Sequence, residues 1–393
     1  MSSLTNVRPT PVLARARTVL PAATVLVAMA LSTLPTPLYP RYERTLGLGP
    51  FGITGIFAAF AVGAVGGLLL VERRGARPDR RMVAAAGATA AAAALALAAD
   101  GPLATFAAAR LLSGVGAGTG AAVATAVVLS AAADLPPAER RAWTTLAPGL
   151  SMLGLAAGPL TAGALTGAAH WSVPATFLLV AVAAVLVTTG LLLCGGAGPA
   201  GGDPSAPGDP VHRDVARHLR WTALAAFATT GVFGALTPTL LHSVVAAPST
   251  LLLGCCASVP FAAGAVGAVV RLRPSAGAVA VGTGLLGLLT AVATADLAVF
   301  VVASALAGLG AGTLFRVALT DALRAATPAD RRRTSAVVLR WAYTGLSVPV
   351  LGLGLAVDHL GTVPALAGFS LVLLVVVTLA VARPRSAWGR VEP

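Results

Sequence analysis

The sequence predicts an all-α polytopic membrane protein in which twelve transmembrane helices form two pseudo-symmetric bundles of six. Three observations carry that expectation. Hydrophobic residues make up 57% of the 393 and charged ones only 10%, with a mean hydropathy of +0.87, an apolar excess beyond the range of soluble domains. Twelve continuous apolar runs approach the ~20 residues that a helix needs to cross hydrocarbon. They fall at 17–39, 51–71, 82–99, 103–131, 143–167, 173–194, 221–244, 250–271, 275–294, 297–322, 335–357 and 363–382. A barrel is excluded, because its strands would alternate apolar and polar residues and these runs are unbroken. Finally, the chain repeats itself. Residues 109–119 (ARLLSGVGAGT) return as 303–313 (ASALAGLGAGT), seven identical in eleven. Thr36-Pro37 returns as Thr237-Pro238, and Pro137-Ala138-Glu139-Arg140-Arg141 as Pro328-Ala329-Asp330-Arg331-Arg332. Three echoes in one order divide the chain into an N-terminal bundle over 1–194, a linker over 195–219 and a C-terminal bundle over 220–393 with a short tail. Gly, Pro and Asp mark the linker.

Basic residues orient the helices. Lys is absent, so all 27 basic residues are Arg. Of these, 22 fall in the tails and loops of one side, two (Arg41 and Arg44) in loops of the other, and three (Arg110, Arg316 and Arg340) within helices. The positive-inside rule then places both termini in the cytoplasm of a multi-pass plasma (cytoplasmic) membrane protein. Arg at helix ends beside anionic headgroups accounts for the net charge of +13, so no nucleic-acid partner is expected. Cys194, Cys255 and Cys256 offer neither a disulfide framework nor metal-ligand spacing. The first run follows Arg residues but lacks a small-residue cleavage site, and is read as a retained helix.

Taken in order, the first helix carries Thr24, Met29 and Ser32 as candidate cavity-lining residues and ends in Thr36-Pro37-Leu38-Tyr39-Pro40, suited to a membrane interface. The second leads into Glu72-Arg73-Arg74-Gly75-Ala76-Arg77, a tight loop in which Gly75 serves the turn. The Glu72 carboxylate suits the partially positive N-terminus of a neighbouring helix. The third is almost all Ala, Val and Leu. In the fourth, Arg110 stands about eight residues inside its run, where a charge costs about 2.5 to 3.5 kcal/mol, and it is expected to project into a water-accessible hollow. Gly114 and Gly118 continue its face as a smooth strip for close helix approach. The fifth sets Gly154, Gly158, Pro159 and Gly163 along a helix that should bend and pack tightly. In the second half, Thr230, Phe233 and Thr237 share a face of the seventh helix. The tenth carries Arg316, with Asp321 better placed for Arg324. On the eleventh, Arg340, Tyr343, Thr344 and Ser347 follow the i, i+3, i+4, i+7 rule and form a polar stripe that faces protein or water. Snorkelling to headgroups is the alternative for Arg316 and Arg340. Where the first half has Arg110 the second has Ser304, so a structural role shared by both halves does not need that charge.

Arg110, Gly114 and Gly118 form an Arg-x-x-x-Gly-x-x-x-Gly pattern, and on it the chain resembles the major facilitator superfamily, which carries that pattern in its fourth helix. Gly154, Gly158-Pro159 and Gly163 resemble the fifth-helix motif of its drug:proton antiporter branch. Glu72, Arg73, Gly75 and Arg77 resemble its signature loop between helices 2 and 3, with Ala76 departing where a basic residue is usual. The resemblance implies a secondary transporter: proton-coupled efflux of small amphipathic or hydrophobic molecules by alternating access. Arg110 would support coupling, the Glu72 loop would latch a gate against the eleventh helix, and Met29, Ser32, Phe233, Thr237, Arg316, Arg340, Tyr343 and Ser347 would line the cavity.

The expected partners are the lipid bilayer, a small-molecule substrate and protons, for a monomer with no cofactor and no metal. No mid-helix Asp, Glu or His, hydrolase elbow or phosphate loop is found, so an enzyme is not expected. Arg without carboxylate in the expected cavity favours neutral or anionic substrates over cations. Two other functions stay open: a symporter or facilitator for a small anionic metabolite, and a non-transporting membrane sensor or scaffold.

Overall fold

The computed structural model describes residues 10–73, 80–194, 213–242, 244–326 and 331–381, and all of its regular structure is helical. In order these are α1 (Pro11–Thr33), a 3-10 turn (Thr36–Leu38), α2 (Tyr39–Leu46), α3 (Pro50–Arg73), α4 (Arg80–Ala98), α5 (Leu103–Ala132), α6 (Pro137–Leu146) and α7 (Leu150–Ala162). There follow a π-helical turn (Gly163–Ala168), α8 (Val173–Leu193), α9 (Arg213–His242), α10 (Thr250–Val269), α11 (Pro274–Thr294), α12 (Leu297–Ala325), α13 (Arg331–Leu360) and α14 (Thr362–Val381). Twelve of the resulting helical segments are long and apolar enough to cross a membrane, as the sequence predicts.

Local chemistry sets several boundaries. Ser172, Ser249 and Asp296 accept hydrogen bonds from backbone N–H groups in the first turns of α8, α10 and α12, satisfying donors that a helix start leaves orphaned. Gly47 ends α2 in the left-handed region at φ 65°, where glycine carries no Cβ penalty. Several boundaries differ from the sequence reading, α1 starting at Pro11 rather than at 17, and two of the differences change the layout. The run expected at 143–167 is broken by a 3-10 turn over Ala147–Gly149, because Pro148 supplies no N–H to a helical ladder. Also, α9 starts at Arg213, so part of the stretch expected as linker is helix.

The repeat is visible in packing. In the first half α5 packs on α1, α3 and α4, α1 on α7, and α4 on α8; in the second, α12 packs on α9, α10 and α11, α9 on α13, and α11 on α14. Glycines fix the closest of these approaches. A Cβ on Gly114 would lie 2.0 Å from the Phe60 carbonyl oxygen and one on Gly118 2.1 Å from that of Ala64. A Cβ on their counterparts Gly308 and Gly312 would lie 2.0 and 1.9 Å from the carbonyl oxygens of Pro260 and Gly264. Any larger residue would force the helices apart.

The halves meet along two seams, α3 against α13 and α7 against α10. Helix α9 lies at the centre, with 89% of its most apolar stretch buried, against 28% for the peripheral α14. A single apolar cluster containing Met29, Phe57, Phe60, Phe233, Phe261 and Tyr343 runs through both halves.

Candidate functional site

Along α5, Arg110 sits seven residues from the start, about 10 Å at 1.5 Å per residue. Its side chain is fully buried, while the adjacent Leu111 and Leu112 are exposed, so the guanidinium turns inward and away from lipid. It does not reach the water-accessible hollow expected from the sequence. Nη1 donates to the Ser32 carbonyl of α1 at 2.5 Å, and the charge lies 5.1 Å from the centroid of the Phe60 ring of α3, within cation–π range. Nε and Nη2 have no hydrogen-bond partner among the described residues. Leaving buried donors unmade costs about 1 to 3 kcal/mol, and more on a charged group, so this side chain is not placed for stability.

From Phe60 a chain of rings crosses the seam. Phe57 lies 6.4 Å from Phe60 on α3, Phe60 lies 6.2 Å edge-on to Tyr343 of α13, Tyr343 is 5.7 Å from Phe227 of α9, and Phe227 is 4.8 Å from Phe315 of α12. These are contact distances for tilted and edge-to-face pairs. Any sliding of one half on the other must therefore repack the ring that carries the Arg110 charge. Sequence reasoning missed Phe57, Phe60, Phe227 and Phe315. The only available signal was their scarcity, since aromatics are 5% of the chain.

Prolines open helical ladders where hydroxyls of other helices close them. Pro159 has no N–H for the Leu155 carbonyl, which instead accepts from the Thr33 hydroxyl of α1 at 2.7 Å. Pro238 likewise frees the Gly234 carbonyl, and Thr36, from the first half, donates to it at 2.7 Å. Ser258 of α10 lies 2.8 Å from the Ala156 carbonyl of α7 and 2.7 Å from its own Gly254 carbonyl. Proline thus removes a bond within one helix and creates an acceptor for another. Gly154 and Gly158 let α7 meet α1, the Cβ position of Gly158 being 2.1 Å from the Ala30 carbonyl, and Gly163 meets Gly254 of α10 across the second seam.

The α3–α13 seam is fastened at both ends. Near the end that bears the chain termini, Glu72 pairs with Arg340 at 3.0 Å. Glu72 does reach the eleventh span, through a guanidinium rather than the helix N-terminus. At the far end, Asp358 accepts from the Phe51 N–H at 3.0 Å, its charge set against the partially positive start of α3, and Gly354 packs closely on Thr54.

The remaining predicted residues sort unevenly. Met29 packs at Gly154, inside the first half. Ser32 contributes its carbonyl, while its hydroxyl donates to Ala28. Phe233 is wholly buried, Thr237 donates to the Phe233 carbonyl and Ser347 to that of Tyr343. Arg316 donates to the Leu272 carbonyl in the α10–α11 turn, and Asp321 meets Arg324 at 3.4 Å. Arg73 is exposed at the end of α3, and Gly75 and Arg77 lie outside the described residues.

Two related six-helix bundles meeting along two seams, one of them fastened at both ends, have the architecture of the twelve-span transporters. The chain belongs to the Major Facilitator Superfamily, whose sequence pattern it matches over residues 22–338. It is a transporter, not an enzyme. No curated protein matches it in sequence. Among solved structures it is similar to a bacterial homologue of the human lysosomal transporter Spinster, in an inward-facing, unoccupied conformation. The TM-score is 0.72 at 13% identity, over 95% of this chain and 96% of that one. It is also similar to the human organic anion transporter MFSD10 (TETRAN), with a TM-score of 0.65 at 15% identity over 93% and 99% of the two chains.

Proposed function

We propose that this transporter exports small amphipathic or hydrophobic molecules, neutral or anionic, in exchange for protons by alternating access, acting as a monomer. The termini face the cytoplasm on this reading, as the 22 to two partition of loop and tail Arg favours, and the halves on either side of the 195–219 stretch move against each other. The observation that carries it is Arg110: a fully buried cation with unsatisfied donors, stacked on the ring that touches the opposite half. Titratable groups stand at the two ends of the same seam, Glu72 and Asp358. Each is an anion that fastens one end, so a change in either contact would favour opening at that end.

The test is substrate flux in proteoliposomes under imposed pH gradients of either sign. Export coupled to protons predicts acceleration when the gradient runs opposite to the substrate, and a fall of about tenfold or more in Arg110→Ala. Gradient-independent flux would remove proton coupling from the account.

One observation favours a second reading, a symporter or facilitator for a small anionic metabolite. Behind the Phe60 ring that meets the opposite half lies a guanidinium with no carboxylate against it among the described residues, and a similar structure is described as an organic anion transporter. Acceleration when protons and substrate run in the same direction would select it.

A further inference from the structure

At the far end of the bundle a cavity of about 540 Å³ opens where the two halves meet, lined among others by Leu38, Arg41, Arg44, Trp171, His242 and Leu253. We propose that it is a docking subsite for amphipathic organic anions, molecules with a carboxylate-like head and an apolar ring-bearing body; this rests on the transporter reading above. The volume suits a drug-sized ligand. Only two of the 27 Arg fall in the loops of this end by the sequence partition, and both line the same cavity.

The two are not equivalent. Arg41 is tied to Asp100, whereas Arg44 is exposed and makes no ion pair or hydrogen bond among the described residues. A guanidinium offers a planar fork of donors that matches a carboxylate. His242 donates its Nδ1–H to the Pro238 carbonyl at 2.7 Å, which fixes its ring in the wall. Two carboxylates lie nearby, and neither is part of the lining. Asp100 is engaged by Arg41, while Glu43 interacts electrostatically with His242 and Arg44 from outside the cavity wall and tempers their charge without occupying the donors. The exposed Trp171 ring, with Leu38 and Leu253, supplies the apolar wall.

The cavity belongs to both halves: α2 and the start of α8 come from the first, the α9–α10 turn and the start of α10 from the second. An occupant would touch both, so its affinity depends on how they sit together.

Three ligands of one ring system make the test: 2-naphthoate, 2-naphthylmethanol and 2-naphthylmethylammonium, titrated calorimetrically against the full chain in nanodiscs. The expected result is saturable naphthoate binding about tenfold tighter than either analogue, the scale of one charge-assisted hydrogen bond. Arg44→Ala should weaken naphthoate by about the same factor and leave the alcohol unchanged, and Arg44→Lys should recover part of the loss. Because Arg44 is exposed and unpaired, these variants should fold as the wild type. Undetectable naphthoate binding, equal affinities for the three ligands, or an Arg44→Ala variant that binds as wild type would each overturn the proposal. Naphthoate flux into proteoliposomes separates the two layers. Arg44-dependent binding without flux keeps the subsite and removes naphthoate as cargo, while flux indifferent to Arg44 overturns the subsite and leaves transport standing.

Discussion

Helices α5 and α12 are the same packing device built twice, and only one of them carries a charge. Each lays two glycines four residues apart against a neighbour's backbone, Gly114 and Gly118 on α3, Gly308 and Gly312 on α10. One turn before the first glycine, α5 has Arg110 buried on the Phe60 ring, while α12 has Ser304, whose hydroxyl folds back onto the Phe300 carbonyl. The glycines therefore answer to architecture, since both halves need them. The guanidinium answers to something only the first half does.

The largest effect tests the shared part. Gly118→Val and Gly312→Val each drive a side chain into a carbonyl that is already 2.1 or 1.9 Å from the Cβ position. Both should cost more than about 3 kcal/mol, beyond ordinary overpacking, and abolish the monodisperse peak on size exclusion. If one folds and the other does not, the equivalence of the two helices fails. Arg110→Ala and Ser304→Ala test the unshared part. The first should keep its thermal stability, because the lost Ser32 bond is offset by a burial cost of about 2.5 to 3.5 kcal/mol that no longer arises. Transport should nevertheless fall by about tenfold or more, against less than about twofold for Ser304→Ala.

Much of this comparison could be read from the sequence, and the reason is specific. Ala109 to Thr119 returns as Ala303 to Thr313 with both glycines of the contact kept, because close backbone contact admits few residue types, and Arg110 stands out against an apolar background. The ring chain could not be read. In a helix surrounded by lipid on one side and protein on the other, both faces are apolar, so nothing in the pattern separates Phe60 in the seam from Phe51 exposed at the rim. Ser32 also escaped correct placement, because it acts through a carbonyl that every residue has. The bond from Thr36 to Gly234 joins residues about two hundred positions apart, and only the proline four residues after Gly234 hinted that its acceptor was free.

The two ends of the α3–α13 seam sharpen the comparison further, since one fastening is a pair of side chains and the other a carboxylate on a helix start. Glu72→Gln should loosen the terminus-bearing end and Asp358→Asn the far end, each by up to about 1 kcal/mol given their partial exposure, or about fivefold in population. In a background lacking the native cysteines, thiol-labelling rates read this at the buried positions of α3: Leu68→Cys for the first variant and Thr54→Cys for the second. A change at both positions from either variant would mean that the seam opens as one piece rather than by ends.

The smallest effect concerns the sequence echo at 137–141 and 328–332. Its first copy is engaged: Arg15 of α1 donates from Nε at 3.0 Å and Nη2 at 2.7 Å to the two oxygens of Glu139 on α6. That hydrogen bonding, reinforced by the guanidinium charge, holds the Glu139 carboxyl below its ordinary value of 4.5. A lowered folded value means that the pair stabilises the fold fully above the ordinary carboxylate range, and that the contribution is lost as pH falls through the lower folded value. Because both partners are open to solvent, salt should mask it. Melting curves of wild type and Glu139→Gln should therefore differ slightly at pH 7 in low salt, converge toward pH 3, and coincide at high ionic strength. Asp330, the second copy, lies outside the described residues, and the repeat predicts the same pattern for Asp330→Asn. A difference that persisted in high salt would mean that Glu139 positions α6 by packing rather than by charge, and the echo would then be one of shape alone.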